Sequence, residues 1–309
     1  MLESVIDSCK YVMDNAKYVT INYDKLDEFI ITVDCSELKH WLSNNPYNIL
    51  DLGIENVINY ILLFESIDYS FWGTPKWTIN TELGQKDGSD ALLYAMLKFV
   101  KDRKIEDLYN ISYEEFKLLL KGNVEIPFIK ERYKTLSKTS EIVKEKMNGN
   151  FYKYIYSIHN DIELFQVIIN NFQSFKDERE YDGKTIYFYK LAQLLTSDIL
   201  HLREQMESIE VDYTHLIGCA DYKIPQTMRA LDIIEYNDEL SNIIDNKVEI
   251  ECSSKYEVEI RASMIVVINY IKSKIDNTNA IDINDYFFTA SKKVKSIAKP
   301  YHLCRNQNY

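Results

Sequence analysis

Acidic side chains outnumber basic ones in this chain of 309 residues, 48 to 36, and the resulting charge of −12 leaves no basic footprint for binding intact nucleic acid through counterion release. Hydrophobic residues reach 46%, enough for a sizeable core, whereas 8 Gly and 5 Pro are too few breakers for the many turns of an all-β fold. The expectation is a mainly α protein.

Residues 1–17 read as a helix, followed by a short hairpin of Val19-Thr20-Ile21 and Phe29-Ile30-Ile31-Thr32-Val33, whose β-branched content favours strands. Asp51 is placed to cap a helix through Val57, Tyr60, Ile61 and Phe64. Trp72-Gly73-Thr74-Pro75 reads as a loop, and Asp87 or Ser89 opens a helix with Leu92, Ala95, Met96 and Phe99 on its apolar face. Pro127 starts a polar helix to about Lys146, stopped by Asn148-Gly149-Asn150, so the chain is expected to be one compact unit with its lobe boundary, if it has one, near 147–150.

Tyr181-Asp182-Gly183-Lys184 has turn chemistry and leads into a long apolar helix through Tyr187, Leu191, Leu194, Leu195, Ile199 and Leu202, with Lys190 and Asp198 in its interior. Ser254-Lys255-Tyr256-Glu257 reads as a capping box for a helix apolar on nearly every face around Met264–Tyr270, which should therefore be central. Pro225 puts another helix start at about Ile224, since a proline's missing N–H is harmless there. Asp221 then sits too early to cap that helix. In the turn Gly218-Cys219-Ala220-Asp221-Tyr222 its carboxylate is either tied to a neighbouring amide or held facing a cleft.

The five cysteines, at 9, 35, 219, 252 and 304, form an odd set without a Cys-x-x-Cys pair, so neither a disulfide framework nor a zinc site is indicated. His159, His201 and His215 lack ligand spacing, and no metal or other cofactor is expected. Early Asp and Glu residues, with no run of about 18 uncharged apolar residues, point to a soluble cytoplasmic protein without a membrane partner. Gly-rich phosphate loops are absent, which removes P-loop and Rossmann readings.

Five pieces in order, Tyr69-Ser70-Phe71-Trp72, Lys190-Leu191-Ala192-Gln193, the Asp221 turn, Glu257-Val258-Glu259-Ile260-Arg261-Ala262, and Pro300-Tyr301-His302 with Arg305 and Tyr309, resemble the queuosine salvage proteins over roughly residues 40–309. The resemblance implies a helical, DNA-glycosylase-like core with one or two short β-hairpins. It also implies hydrolysis of the N-glycosidic bond of queuosine 5′-phosphate, releasing queuine for reinsertion into tRNA. The alternatives are hydrolysis of unphosphorylated queuosine or another modified purine nucleotide, or a non-catalytic queuine-binding protein. Asp68 stands where the family usually has Asn, Cys219 where it commonly has an aromatic, and Asn284-Asp285-Tyr286-Phe287-Phe288 where it has an Asp followed by aromatics and Leu-Trp. The family's histidine ahead of the first core helix has Asn45 as its nearest match.

Cleaving an N-glycoside develops positive charge at the anomeric carbon, which a carboxylate beneath it stabilises, and Asp221 and Asp285 are the two candidates. The base of queuosine is a 7-deazaguanine, so the ring nitrogen that purine hydrolases protonate is replaced by carbon and help must come from other base atoms. Asp68, Asn284, Cys219 and Tyr222 are candidates for holding the cationic base, with Phe71 or Trp72 stacked on it. The 5′-phosphate needs the opposite sign, for which Lys190, Arg229, Arg261, His302 and Arg305 are candidates. Arg261 also lies four residues after Glu257, the spacing of an ordinary helix ion pair, and Lys190 has the option of reaching the surface along its stem.

Overall fold

The computed structural model describes residues 2–44 and 46–309 and is mainly α, with fourteen α-helices among the described residues. The helix Lys255–Lys272 is the axis. Its buried residues run almost without a break from Glu257 to Ile268, as its all-round apolar sequence requires. Leu2–Asp14, Lys223–Ala230 and Ala280–Lys293 pack around it, while Lys190–Glu207 lies between Ile54–Glu65 and Asp161–Asn171. The buried hydrophobic side chains form one cluster from Leu2 to Tyr309. No helix among the described residues is long and apolar enough to cross a membrane.

Among the described residues, four two-stranded sheets decorate this bundle. Thr78–Thr81 with Gly84–Asp87, and Glu178–Tyr181 with Lys184–Tyr187, are antiparallel hairpins. The second turns through Asp182 (φ 48°) and Gly183 (φ 78°), the left-handed pair that matches strand twist. The parallel pair Glu249–Ile250 with Leu303–Cys304 returns the C-terminus to the core.

Several local expectations are corrected. Phe29–Thr32 belongs to the helix Tyr23–Thr32, not to a strand; Asn22 caps it by accepting from the Lys25 N–H, and Phe29 stacks on Phe287. Val19–Ile21 pairs instead with the distant Ile234–Tyr236. Asp51 lies in a 3-10 turn, Ile49–Leu52, and the next helix starts behind Gly53 (φ 74°) with no side-chain cap. Lys190 is the first residue of its helix rather than interior, because Tyr189 is left-handed (φ 51°) and Tyr187 belongs to the preceding strand. The Ser254 hydroxyl does accept from the Glu257 N–H, but the Glu257 carboxylate turns away to Ser253 N–H and to arginines.

Those arginines organise the interior. Arg261 is fully buried and its guanidinium meets both Asp177 oxygens, at 2.5 and 3.1 Å, and Glu257 at 3.3 Å. Arg179 closes the group, 3.2 Å from Asp177 and 3.4 Å from Glu257. Arg261 Nε also donates to the Ala220 carbonyl at 3.0 Å, and its plane lies between the rings of Phe188 and Tyr309. Replacing Arg261 would leave two buried carboxylates sharing Arg179 as their one remaining cation. Arg261→Leu is therefore expected to lower the unfolding free energy by about 3–5 kcal/mol, read as a lower urea midpoint; an unmoved midpoint would contradict this role.

Candidate active site

The turn carrying Asp221 is built from behind. Gly218 (φ 127°) approaches the central helix so closely that a Cβ would lie 3.2 Å from Ile268 Cδ1. Gln193, wholly buried, accepts from the Ile217 and Gly218 N–H groups and donates to the Gly218 and Phe188 carbonyls. With Arg261 gripping Ala220, the backbone of Ile217, Gly218 and Ala220 is held. Tyr222 holds the N-cap position of the helix Lys223–Ala230 without a side-chain cap bond, and Asp221, one residue too early to be the N-cap, still reaches the first turn: its Oδ1 accepts from the N–H groups of Lys223 (2.8 Å) and Ile224 (3.0 Å). Pro225 occupies the third helical position, where the N–H is also unneeded, so the helix begins earlier than expected. Oδ2 has no hydrogen-bond partner among the described residues, and Asp221 lines a cavity. Both readings of this carboxylate hold at once, one for each oxygen.

The cavity measures about 360 Å³ and gathers nine of the expected site residues, Asp68, Phe71, Trp72, Lys190, Cys219, Asp221, Tyr222, Asn284 and Asp285. Its aromatic wall is braced. Arg132 binds the carbonyls of Ile67, Tyr69 and Ser70 and stacks on Tyr69 and Phe71, while Ser70 Oγ donates to the Asn306 carbonyl at 2.6 Å. Trp72 Nε1 donates to the Cys304 carbonyl at 3.1 Å.

Four expected residues stand outside the cavity. Arg261 is consumed by its ion pairs. His302 is buried against the Tyr309 hydroxyl at 3.1 Å, its pKa depressed to about 3 by burial and by the charge of Arg261. Arg305 is exposed, pairs with Glu249 at 3.2 Å and covers Trp72 from outside. Arg229 is paired with Asp245 at 2.7 Å.

The floor is acidic and buried. Glu65, at the end of an apolar helix, is held well above its usual pKa by burial and by Asp198 and Asp68, which favours its protonated form. Lys190 lies 3.7 Å from Asp68; burial works against its charge, but Asp68, Glu65 and Asp221 outweigh that and raise it. Asp68 Oδ1 is buried without a hydrogen-bond donor from the protein, whereas Asp198 is a hydrogen-bond partner of Glu65 and helps to raise it. Asp285 is fixed on both oxygens, by the Trp41 N–H at 2.8 Å and Asn284 Nδ2 at 3.1 Å, while Asn284 Oδ1 accepts from the Cys219 N–H. Burial lifts Asp285 to about 6 against the pull of His40. Asp221 is likewise raised by burial, opposed by Lys190 and its two amides.

The sequence reading missed Trp41, Glu65, Lys76, Lys223 and Tyr301, all in the lining. Glu65 carried the signal that singled out Lys190, a charge in an apolar helix needing a partner. Lys76 and Lys223 had none. Asn45 lies outside the described residues; the histidine buried in that stretch is His40, with Nε2 3.0 Å from Ser197 Oγ and 3.3 Å from Asp198. Among the described residues, the groups with metal-type donors, Asp161 with Asp212 and His215, and Cys252 with Glu257 and Cys304, lie away from the cavity.

A helical scaffold with an aromatic-walled, acidic-floored cavity of nucleoside size and a poised carboxylate defines a small-molecule site suited to a cationic, glycosidically bound base. The chain belongs to the queuosine salvage protein family, whose model matches residues 50–309. It is 27% identical to a queuosine 5′-phosphate N-glycosylase/hydrolase of Sphaerobacter thermophilus over 99% of this chain and 97% of that protein. Proteins of the same name from Dictyostelium discoideum (26%, 88% of this chain, 86% of that one) and Mus musculus (24%, 96% and 90%) are also similar.

A raised carboxylate pKa adds stability in the protonated state, present below the ordinary value of 3.8 and lost as pH rises through about 6. Relative to Asp285→Asn, the wild type should therefore lose about 3 kcal/mol of unfolding free energy from about pH 4 to about pH 7. Parallel pH profiles in urea titrations would contradict the assignment.

Proposed function

We propose that the chain, acting as one catalytic unit, hydrolyses the N-glycosidic bond of queuosine 5′-phosphate, releasing queuine and ribose 5-phosphate for queuine salvage into tRNA. The observation that carries this reading is the division of labour within Asp221: one oxygen is immobilised by two amides, and the other is left free in a cavity. A carboxylate so held needs little reorganisation to stabilise an oxocarbenium-like transition state at the anomeric carbon. Water supplies hydroxyl to that carbon and the leaving nitrogen of the base takes a proton.

The acidic floor suits the secondary ammonium of queuine, with Asp68 as its anionic partner. Glu65, neutral, is a proton donor for the edge of a base that lacks a protonatable ring nitrogen at its seventh position. Phe71, Trp72 and Tyr222 offer faces for stacking. Asp285, held on both oxygens, supports the base side rather than the sugar.

For the phosphate we favour the rim over Lys190. Lys76, Lys86 and Lys223 line the same cavity, and Lys223 is lowered by burial and by the nearby charge of Lys76. Two ammonium groups that repel each other gain from an anion placed between them. The acidic surface and the absence of a basic stripe support a free nucleotide in the cytoplasm as partner, with no intact nucleic acid or membrane.

With queuosine 5′-phosphate, wild type is expected to release queuine, detected by mass spectrometry, and Asp221→Asn to lose about 10³-fold in kcat. Retained turnover in Asp221→Asn would move the role to another group, and no release by wild type would refute the reaction. Lys223→Met is expected to raise KM for the nucleotide about ten- to a hundredfold while leaving the unphosphorylated nucleoside unaffected. Equal effects on both substrates would remove Lys223 from the phosphate.

A further inference from the structure

The C-terminal segment that braces the cavity carries a second chemical feature. Cys304 ends the short strand Leu303–Cys304, paired in parallel with Glu249–Ile250, and Cys252 stands in the turn just beyond that partner strand. The two sulfurs and a Glu257 oxygen all lie within 4.8 Å of one another. The two thiols are unequal. Cys304 is buried, whereas Cys252 is half-buried and lines a separate polar cleft of about 400 Å³ with Lys176, Arg179, Asn306 and Asn308. A small polar oxidant has a route to Cys252 that does not pass through the active-site cavity.

The surroundings favour a reactive thiolate over a metal. Glu257 is already committed to Ser253 N–H, Arg179 and Arg261, so it is a poor third ligand, and the Arg179 cation repels a metal ion. The same cation favours a thiolate. Cys252 is lowered to about 6, first by the neighbouring Cys304 thiol, with burial and the Glu257 carboxylate opposing and Arg179 and Ser253 adding to the effect. Cys219, the cysteine in the cavity wall, is raised well above the ordinary thiol value by burial and stays protonated.

We propose that Cys252 and Cys304 form a peroxide-responsive dithiol whose closure to a disulfide loosens the aromatic wall of the active site. The Cys252 thiolate attacks hydrogen peroxide, forming an S–O bond as the O–O bond breaks, and the departing hydroxide leaves as water. The Cys304 sulfur then attacks the Cys252 sulfur; the S–S bond forms, the S–O bond breaks, and the second oxygen leaves as water with the Cys304 proton. Two thiols are oxidised by two electrons and one peroxide is reduced to two waters.

The consequence follows from what Cys304 holds. Its carbonyl accepts from Trp72 Nε1, and its sulfur accepts from Asn306 Nδ2 at 3.6 Å. Asn306 in turn orders the Tyr309 backbone through its Oδ1 and receives the Ser70 hydroxyl on its carbonyl. Drawing the Cys304 sulfur to the roughly 2.05 Å of a disulfide bond pulls it off Asn306 and disturbs the Trp72 and Tyr309 contacts together.

The test treats wild type, Cys252→Ser and Cys304→Ala with hydrogen peroxide, followed by non-reducing peptide mapping, tryptophan fluorescence and queuine release. Wild type is expected to lose two hydrogens in a Cys252–Cys304 cross-linked peptide, to shift its fluorescence, and to lose roughly ten- to a hundredfold in kcat/KM. Dithiothreitol should restore all three, and both variants should be unresponsive. Absence of the cross-link, a cross-link without change in fluorescence or turnover, or equal inhibition of Cys252→Ser would each overturn the proposal. Mapping and fluorescence need no substrate, so failure here is separable from failure of the glycosidase reading.

Discussion

The buried ion cluster of Arg261, Asp177, Glu257 and Arg179 is the constraint on which the site depends. Taking four charges out of water costs several kcal/mol per ion, and the cost is offset only because each group finds nearly all its partners inside. A hydrophobic substitute would pack as well. What the charges add is direction: a guanidinium donates along fixed lines, so Arg261 specifies where the Ala220 carbonyl and the Asp177 loop must be. Asp177 meanwhile accepts through its carbonyl from Phe188 and Tyr189, setting the start of the helix headed by Lys190. One buried cation thus registers Asp221 and Lys190, which lie far apart in sequence, against each other.

The cavity is divided by polarity. Carboxyl groups crowd its floor beyond what the protein's own donors satisfy, leaving an Asp68 oxygen without a donor and raising Glu65 well above its usual pKa. Lysines crowd the rim, where Lys223 is lowered by its burial and by Lys76. Both are arrangements that a packed core would avoid, and a ligand cationic at one end and anionic at the other relieves both. Asp221 lies between them, two residues from Lys223 and within the field of Lys190.

Much of this was legible in the sequence, because helix-forming patterns and local turn chemistry are short-range. The apolar run Met264–Tyr270 sits in the central helix, and the Asp182-Gly183 turn closes its hairpin. The Ser-Phe-Trp and Asp221 segments do meet in one cavity. The failures have physical causes. Phe29-Ile30-Ile31 has strand composition, yet a cap at Asn22 and packing on Phe287 override propensity. Pro225 stands third in its helix rather than first, because any position of the first turn tolerates proline, so the helix reaches back to Lys223 and within range of Asp221. Among the cations, only the partners distinguish roles: Arg261 finds Asp177 some eighty residues away, while Lys76 and Lys223 find each other. No local pattern encodes either meeting.

The most direct measurement is a crystal structure of Asp221→Asn with queuosine 5′-phosphate bound. The anomeric carbon is expected within about 3.5 Å of the side chain at position 221, with the phosphate on Lys76 and Lys223 and the base over Glu65 and Asp68. A sugar lying against Asp285 instead, with the phosphate on Lys190, would contradict the central claim that the Asp221 turn is built to face the glycosidic bond.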